Sequence, residues 1–592
     1  MANEILRSYI EDIDKTNFLK GYLIRAKEKT GKIVKIDIPQ EVLDYPDFYI
    51  AGYEDLKKTK GIKIGDDEIP LFAKDIIEYP NQPVFIAAHP DRRILQELCE
   101  KITIEVEPIN PSKKDKPEIY KTISGGEKNI ERLLNKGHIK LKNNFSTGTQ
   151  NHYSLGHQGA IAIPTKDGIT ITISSDLASF AQNRISSILN IPKEKVSINC
   201  TKMPPSFGMK NWYPVVIAAQ VALLANKTQK SIRLVFTKEE DLFLTTRRTP
   251  VNITIESSLD KEFKVVAKRF TIQIKSGAYP IFTDLISNLY AQSLFGFYEE
   301  HPIAYTIEFI KTKESTMDYF SGYGLAPLFF AIERELDIIA KATELSPLEL
   351  RLHLINPLFQ RPIILHQIEY CLFASDYKRK QVAYNLLPNK ATKNGKDTLM
   401  TVKRKRGIGI AFCWQGSDLK NTKLLADFFT SDSSTQSSKG NKNDFPFNHI
   451  SPGVLTIEIE ANPISLEIVP LHIAIALQVP IRANKRLLEH KVKQTLLPAL
   501  MWATINQNYT QEASFRELTA TPLKTLPQVN IQFFESESAS ETDIADLVFS
   551  LVAPAFAAAA SQAMEEEINQ VPILAENFFK AQSKKGEEQN GV

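Results

Sequence analysis

Strand patterns and helix patterns alternate along most of this chain, and that alternation limits the folds it can adopt. Runs rich in β-branched and aromatic residues, such as 21–26 and 32–38, are bounded by turn residues. Between them, stretches such as 91–102 carry apolar residues three and four positions apart, a spacing that predicts amphipathic helices. The pattern predicts mixed α/β units. Because 592 residues are too many for one hydrophobic core, we expect roughly three or four packed units.

The composition excludes several classes of protein. With 43% hydrophobic and 24% charged residues, the chain has the balance of a soluble globular protein. Its formal net charge of +3 gives no reason to expect a nucleic-acid or membrane partner. The four cysteines lie far apart, without a CxxC pair or a histidine at ligand spacing beside them. We therefore expect no disulfide frame, no metal site and no iron–sulfur cluster, and because the chain also lacks a GxGxxG motif or P-loop, we expect no flavin in it.

Two further features bear on localisation. The first fifteen residues are charged and lack the apolar stretch of a signal peptide, so we expect a cytoplasmic protein. The most apolar run, 547–564, is short, rich in alanine and interrupted by Pro554. It predicts a buried helix and not a membrane span.

Changes in pattern divide the chain into five segments. We predict an α/β unit over 9–109, a linker and helix over 110–149, and a second α/β unit over 150–356. An irregular basic and low-complexity connection over 374–451 follows, and a last α/β unit covers 452–582. Because 110–126 is rich in lysine and proline, we expect the first unit to fold independently of the others.

The basic part of the connection has two interpretations. Clusters at 378–380 and 403–406 are typical of a solvated interdomain loop, and they could also form a nucleic-acid patch. Few aromatic residues lie between the clusters and the net charge is small, so we favour the solvated loop.

Several long segments carry a resemblance to a known family. They are LKGYLIRA and DFYIAGYEDL in the first unit, then HYSLGHQGAIAIP, SIRLVFTKEEDLFLTTRRTPVNITI and FFAIERELDIIAKATELSPLELRLHLI. In order and spacing they resemble the molybdopterin-binding large subunit of the xanthine dehydrogenase and aldehyde oxidase family, in a shortened and degenerate form. The resemblance implies an α+β / α/β multidomain architecture. An a/b hammerhead-like N-terminal domain would precede two molybdopterin-binding-type α/β domains, the second truncated.

The resemblance implies a first cofactor-facing loop at 203–211. The family has GGGFGGKE there, and Phe207, Gly208 and Lys210 match as cofactor-binding residues. Pro204 and Pro205 have no backbone N–H to offer a ligand. Asn211 stands where the family carries a substrate-contacting carboxylate, so it is the substrate-binding candidate. The alternative is an ordinary strand-to-helix turn.

A second loop and a candidate base follow from the same resemblance. At 319–328 the family has AFRGFGGPQG; Gly322 and Gly324 match as cofactor-binding residues, and Ser321 replaces the arginine expected to contact the substrate. Asp546 lies where the family has its catalytic glutamate, one methylene shorter. The alternative is that Asp546 is an N-cap or a partner of the helix dipole.

Two further elements depart from the family, whose D-x-GQG loop is not recognisable here. Residues 483–485 read Ala-Asn-Lys where the family has Ile-Asn-Pro, ahead of a helix that lacks its glycines. Molybdopterin is therefore implied as the cofactor, and its loss is a predicted consequence of the departures.

Three functions remain open at this stage. The chain is a large subunit that hydroxylates a purine or an aldehyde with iron–sulfur and FAD subunits, or a non-catalytic paralogue that pairs with an intact large subunit. The third possibility is a pseudoenzyme that binds a small molecule. The first two imply a hetero-oligomer, and the rewritten loops predict an incomplete catalytic centre in this chain.

Overall fold

The computed structural model describes residues 8–574 except 14–15, 28–29, 110–116, 153, 205, 320–321, 357–361, 387–403, 420–446, 463–464, 466, 505–526 and 538–543. Its strands are β1 (Leu19–Arg25), β2 (Gly31–Asp37), β3 (Tyr49–Gly52), β4 (Gly61–Ile64), β5 (Asp67–Pro70), β6 (Ile76–Ile77), β7 (Pro83–His89), β8 (Thr103–Glu107), β9 (Ile119–Gly126), β10 (Ile139–Thr147), β11 (Gly159–Pro164), β12 (Ile169–Ile173), β13 (Val196–Cys200), β14 (Ile232–Val235), β15 (Val251–Leu259), β16 (Val265–Lys275), β17 (Ile303–Ile310), β18 (Lys405–Leu419), β19 (Phe447–Ala461), β20 (Ile468–Pro480), β21 (Gln528–Ser536) and β22 (Gln570–Val571). Its helices are α1 (Gln40–Leu43), α2 (Arg92–Glu100), α3 (Ile130–Lys136), α4 (Ala178–Leu189), α5 (Tyr213–Thr228), α6 (Lys238–Phe243), α7 (Thr283–Ser293), α8 (Ala326–Ala342), α9 (Pro347–Leu354), α10 (Pro362–Ser375), α11 (Tyr377–Leu386), α12 (Lys485–Thr504) and α13 (Ile544–Met564).

The fold class agrees with the sequence prediction of a mixed α/β multidomain protein. Helix α9 begins where the capping signal predicts. The Ser346 hydroxyl accepts a hydrogen bond from the N–H of Glu349, and the Glu349 carboxylate accepts one from the N–H of Ser346, with Pro347 at the first helical position. Local signals of this kind locate helices well because their partners are only a few residues away.

A seven-stranded sheet, ordered β13-β12-β11-β14-β1-β7-β3, joins the first two predicted units. Strand β1 pairs in parallel with β14, with Leu19 opposite Ile232, and in antiparallel fashion with β7. The expectation that 9–109 folds independently is therefore wrong. A strand pattern does not encode its distant partner, and β1 would otherwise leave one edge unpaired. The boundary positions themselves stay predictions.

The segment predicted as linker and helix also contributes to a sheet. Strand β9 pairs with β17, and β10 pairs with β15, in a six-stranded sheet ordered β22-β10-β15-β16-β17-β9. The predicted polar connection 110–126 thus contains a strand, whose polar residues hid it from the sequence pattern. The remainder of that connection, 110–116, lies outside the described residues.

The connection predicted as irregular is likewise partly regular. Helix α11 and the fifteen-residue strand β18 lie within 374–451, and β18 starts a sheet ordered β18-β19-β20-β21. Glycines at 407 and 409 in β18 concealed the strand. A Cβ added at either would lie 2.0 Å from a backbone oxygen of α13, of Ala559 and Ala555 respectively. Only glycine permits this approach. The predicted low-complexity stretch 431–444 lies outside the described residues.

Helix α13 is the predicted buried helix. Within the described residues it is the one helix long and apolar enough to cross a membrane, and 78% of its most apolar window is buried inside the protein. It packs across β18 and β19 and against α8 and α12.

A buried ionic network connects the first half of the chain, residues 8–356, to the second half, residues 362–574. Arg351 Nε donates to the Glu333 carboxylate at 3.0 Å, and Arg351 also pairs with Asp337 at 2.8 Å. The same Glu333 carboxylate accepts the Tyr298 hydroxyl and the backbone N–H of Phe412 in β18. Burial raises the pKa of the Glu333 carboxyl despite these donors.

We predict that Arg351→Met destabilises the protein because it leaves Glu333 buried without its cationic partner. The expected loss is ~3–5 kcal/mol in the free energy of unfolding of the region that contains α8 and β18. Urea unfolding followed by hydrogen exchange measures it. The control is Arg379→Met, which removes an exposed pair with Asp376 and should leave the transition unchanged. Equal effects of the two variants would contradict the prediction.

Candidate functional site

The first candidate loop forms a tight turn between β13 and α5. Phe207 and Gly208 both have positive φ, 49° and 99°. His152 Nδ1 lies 3.1 Å from the carbonyl oxygen of Phe207, which requires a proton on that nitrogen. Burial lowers the pKa of His152 to about 3, so the ring is neutral at pH 7. The Phe207 ring packs edge-on against Phe549 of α13, with 5.5 Å between ring centres.

Two other residues predicted for this loop, Lys210 and Asn211, have different surroundings. Lys210 is 1% exposed, and its ammonium donates to the carbonyl of His157. Burial lowers the pKa of Lys210 and raises that of nearby Asp241, while their mutual attraction opposes both shifts. Asn211 is exposed, and its carbonyl accepts a hydrogen bond from Ser175. The Lys210 ammonium is therefore bonded to the backbone inside the protein, and Asn211 lies at the surface.

The second loop has the glycine conformations expected of it. Gly322 and Gly324 have φ values of 77° and 74°, which disfavour any other residue. The carbonyl of Gly324 accepts the Tyr290 hydroxyl at 2.8 Å. Ser321, the residue in place of the family arginine, lies outside the described residues, as does Pro205 of the first loop.

Asp546 lies in the first described turn of α13, against the second loop. A Cβ added at Gly322 would lie 3.2 Å from the Asp546 Cβ and 3.4 Å from Gln415 Oε1. A carboxylate in a first turn interacts favourably with the helix dipole. The structure thus brings together Phe207, Gly208, Gly322 and Asp546, which come from three segments that are far apart in sequence.

The centre of this region is an arginine that the sequence analysis missed. Arg248 is 1% exposed, and its Nε donates to Gln150 Oε1 at 2.8 Å. Its guanidinium carbon lies 4.8 Å from the ring centre of Trp502 and 5.7 Å from that of Phe549. Burial lowers the pKa of Arg248 to about 9, against the attraction of nearby acidic groups that include Asp546. The only sequence signal is the pair Arg247-Arg248 within TTRRTP, which a surface loop could equally carry.

A molybdopterin in this region would have to share it with closely packed side chains. That group needs a cavity between the loops and several free donors and acceptors around it. A Cβ added at Gly322 would lie 3.2 Å from the Asp546 Cβ, and the buried rings of Trp502 and Phe549 lie against the Arg248 guanidinium. Both polar atoms of the Gln150 amide are bound by the protein, to Arg248 and to the carbonyl of Pro498.

Gln415 lies beside the second loop in the described part of the chain. It is fully buried, and its Oε1 has no hydrogen-bond partner among the described residues. Two open clefts, of about 700 and 410 Å³, lie elsewhere, beside α11.

Comparison with known proteins finds a matching family model and several related proteins. Residues 112–354 match the family model of the molybdopterin cofactor-binding domain. A probable xanthine dehydrogenase subunit of Bacillus subtilis (strain 168) is 22% identical over 358 residues, covering 58% of this chain and 48% of that protein. The chain thus spans about half the length of this relative. The nicotinate dehydrogenase large molybdopterin subunit of Eubacterium barkeri is 21% identical over 368 residues, covering 58% of this chain and 84% of that one.

Solved structures share the fold at lower identity. The aldehyde oxidoreductase of Desulfovibrio gigas superposes with a TM-score of 0.80 at 16% identity, covering 97% of this chain and 78% of that one. The quinoline 2-oxidoreductase of Pseudomonas putida 86 gives 0.81 at 12% identity, covering 97% and 95%. The resemblance to the molybdopterin-binding xanthine dehydrogenase and aldehyde oxidase family is therefore confirmed, because residues 112–354 match the cofactor-binding domain model and the chain shares the fold of these structures.

Proposed function

We propose that this chain is a non-catalytic subunit of an oxidoreductase complex of the purine or aldehyde hydroxylation class. By family it is a molybdopterin-binding-type subunit. In our proposal it retains the fold and the assembly role of such a subunit, and an intact large subunit or iron–sulfur and FAD subunits supply the redox chemistry. Two relatives are themselves described as subunits, which supports an assembly role.

The closeness of Gly322 to Asp546 carries this proposal: a Cβ added at Gly322 would lie 3.2 Å from the Asp546 Cβ. The family resemblance assigns Gly322 to a cofactor-binding loop and Asp546 to the place of the catalytic base, so little space is left between these two elements. A general base must also reach the proton that it removes, within about 3 Å or through one water. Asp546 is one methylene shorter than the glutamate that it replaces, and a ~1 Å misplacement costs on the order of a hundredfold in rate.

The alternative is that the chain is itself a hydroxylase subunit, with Asp546 as its base. An aspartate has nearly the acidity of a glutamate, so acid–base chemistry of that type would be preserved. The two proposals differ in what they predict for cofactor content, for Asp546 and for partners.

We expect substoichiometric molybdenum and pterin in the protein purified from its own host. The physical reason is the filled space around Arg248 and the two prolines, Pro204 and Pro205, that remove backbone donors from the first loop. Metal analysis by mass spectrometry, together with fluorescence of the oxidised pterin, gives both contents per chain. One molybdenum per chain, with hydroxylase turnover assigned to this chain, would overturn the proposal.

Substitutions at Asp546 separate the two functions. We expect Asp546→Asn and Asp546→Glu to leave hydroxylase turnover of the native complex unchanged, with a stability change of a few tenths to ~2 kcal/mol at most. If the chain is catalytic, the asparagine variant abolishes turnover and the glutamate variant preserves or raises it. Glu349→Gln, in the first turn of α9, is the matched control for a helix-end carboxylate.

The partner prediction concerns assembly. We expect native mass spectrometry of the protein from its host to find it in a hetero-oligomer with an intact large subunit or with iron–sulfur and FAD subunits. The reason is that, in this proposal, the chain does not perform the redox reaction, so another chain of the complex must perform it. A monodisperse monomer from the host would contradict this prediction.

A further inference from the structure

We propose that Arg248 is an internal clamp that closes the contact between the two halves of the chain, so that the protein reaches its folded, assembly-competent state without molybdopterin. We call this contact the Arg248 seam and define it by Gln150, Arg248, Trp502, Asp546 and Phe549. The inference rests on the proposed function, in which the chain does not carry the cofactor.

The backbone of the first half fixes one side of the clamp. The N–H of Arg248 donates to the carbonyl of Gln150 at 2.8 Å, and isolated bridges place Arg248 between Gln150 and Asp318. The N–H of Asp318 donates to the carbonyl of Arg247 at 2.7 Å, and the N–H of Thr249 donates to the carbonyl of Asp318 at 3.1 Å. The Arg248 backbone is thus held from both sides by residues of the first half alone.

The side chain provides the other side of the clamp. It lies over the rings of Trp502 in α12 and Phe549 in α13, which both belong to the second half. A cation over aromatic rings is bound most strongly where water is excluded, and all three side chains are buried. The acidic groups of Asp318 and Asp546 lie near enough to favour the charged form of Arg248.

Other hydrogen bonds across the Arg248 seam join groups of the first half directly to groups of the second half. Gln150 Nε2 donates to the carbonyl of Pro498 at 3.0 Å, and Trp502 Nε1 donates to the carbonyl of Gly148 at 3.3 Å. Farther along, β22 of the second half pairs in parallel with β10 of the first half. These contacts form a closed seam from this chain's own groups, with Arg248 as the residue that contacts both α12 and α13.

The first test compares protein from two hosts, one that makes molybdopterin and one that cannot. We expect the same melting temperature, and the same hydrogen exchange in α12 and in the first half of α13, from both. A lower melting temperature in protein from the deficient host would overturn the clamp. Stoichiometric molybdenum in protein from the competent host would instead overturn the proposed function, so the two failures are distinguishable.

The second test removes the cation. We expect Arg248→Met to speed hydrogen exchange across the facing surfaces of α12 and α13 on the order of tenfold or more, because the guanidinium holds both helices. The matched control is Arg184→Met, which removes another buried arginine that lies over a ring, that of Phe180 in α4. Its effect should stay within the first half.

A double-mutant cycle keeps the clamp testable if Arg248→Met does not fold. Arg248→Lys and Trp502→Phe each retain much of the buried volume, and combining them measures the coupling across the seam. We expect a non-additive change in exchange at the seam. Additive changes, or an Arg248→Met protein with unaltered exchange, would show that Arg248 is not the clamp.

Discussion

The buried pairing of Arg351 with Glu333 fixes the place where strand β18 of the second half joins the first half. Neither side chain is more than 2% exposed, so each charge would be costly without the other. The Arg351 guanidinium also donates to the carbonyls of Pro347 and Glu333, which sets the angle between α9 and α8. Since the Glu333 carboxylate also accepts the backbone N–H of Phe412, the position of β18 follows from the position of α8. Strand β18 of the second half is therefore positioned by helix α8 of the first half.

The fold could be predicted from the sequence where its determinants are local. Helix α9 follows from Ser346, Pro347 and Glu349, whose roles require only one helical turn. The pairing of β1 with β14 could not be predicted, because it joins residues more than two hundred positions apart. Strand β18 was missed for a different reason. Its glycines are typical of a loop until the helix that lies on them is known.

The candidate site was predictable to a similar extent. The family resemblance identified Phe207, Gly208, Gly322 and Asp546, and the structure brings these four together. It did not indicate that Lys210 is bonded to the protein interior. Arg248 and Gln150 were missed because an arginine or glutamine in the sequence carries no mark of burial, and polar residues of this size are mostly exposed. Their importance comes from partners contributed by both halves of the chain.

The glycine contacts beneath α13 have a mechanical consequence. Because Gly407 and Gly409 have no side chains, the backbone of α13 packs directly on the backbone of β18 at these two positions. Asp546 lies nine residues from Ala555, about 14 Å along the axis. A methyl group on either glycine would push α13 away from β18, and the resulting tilt of the helix would move its N-terminal end, with Asp546, relative to Gly322. The spacing between Asp546 and the second candidate loop is thus set at a point remote from both, by the absence of two side chains.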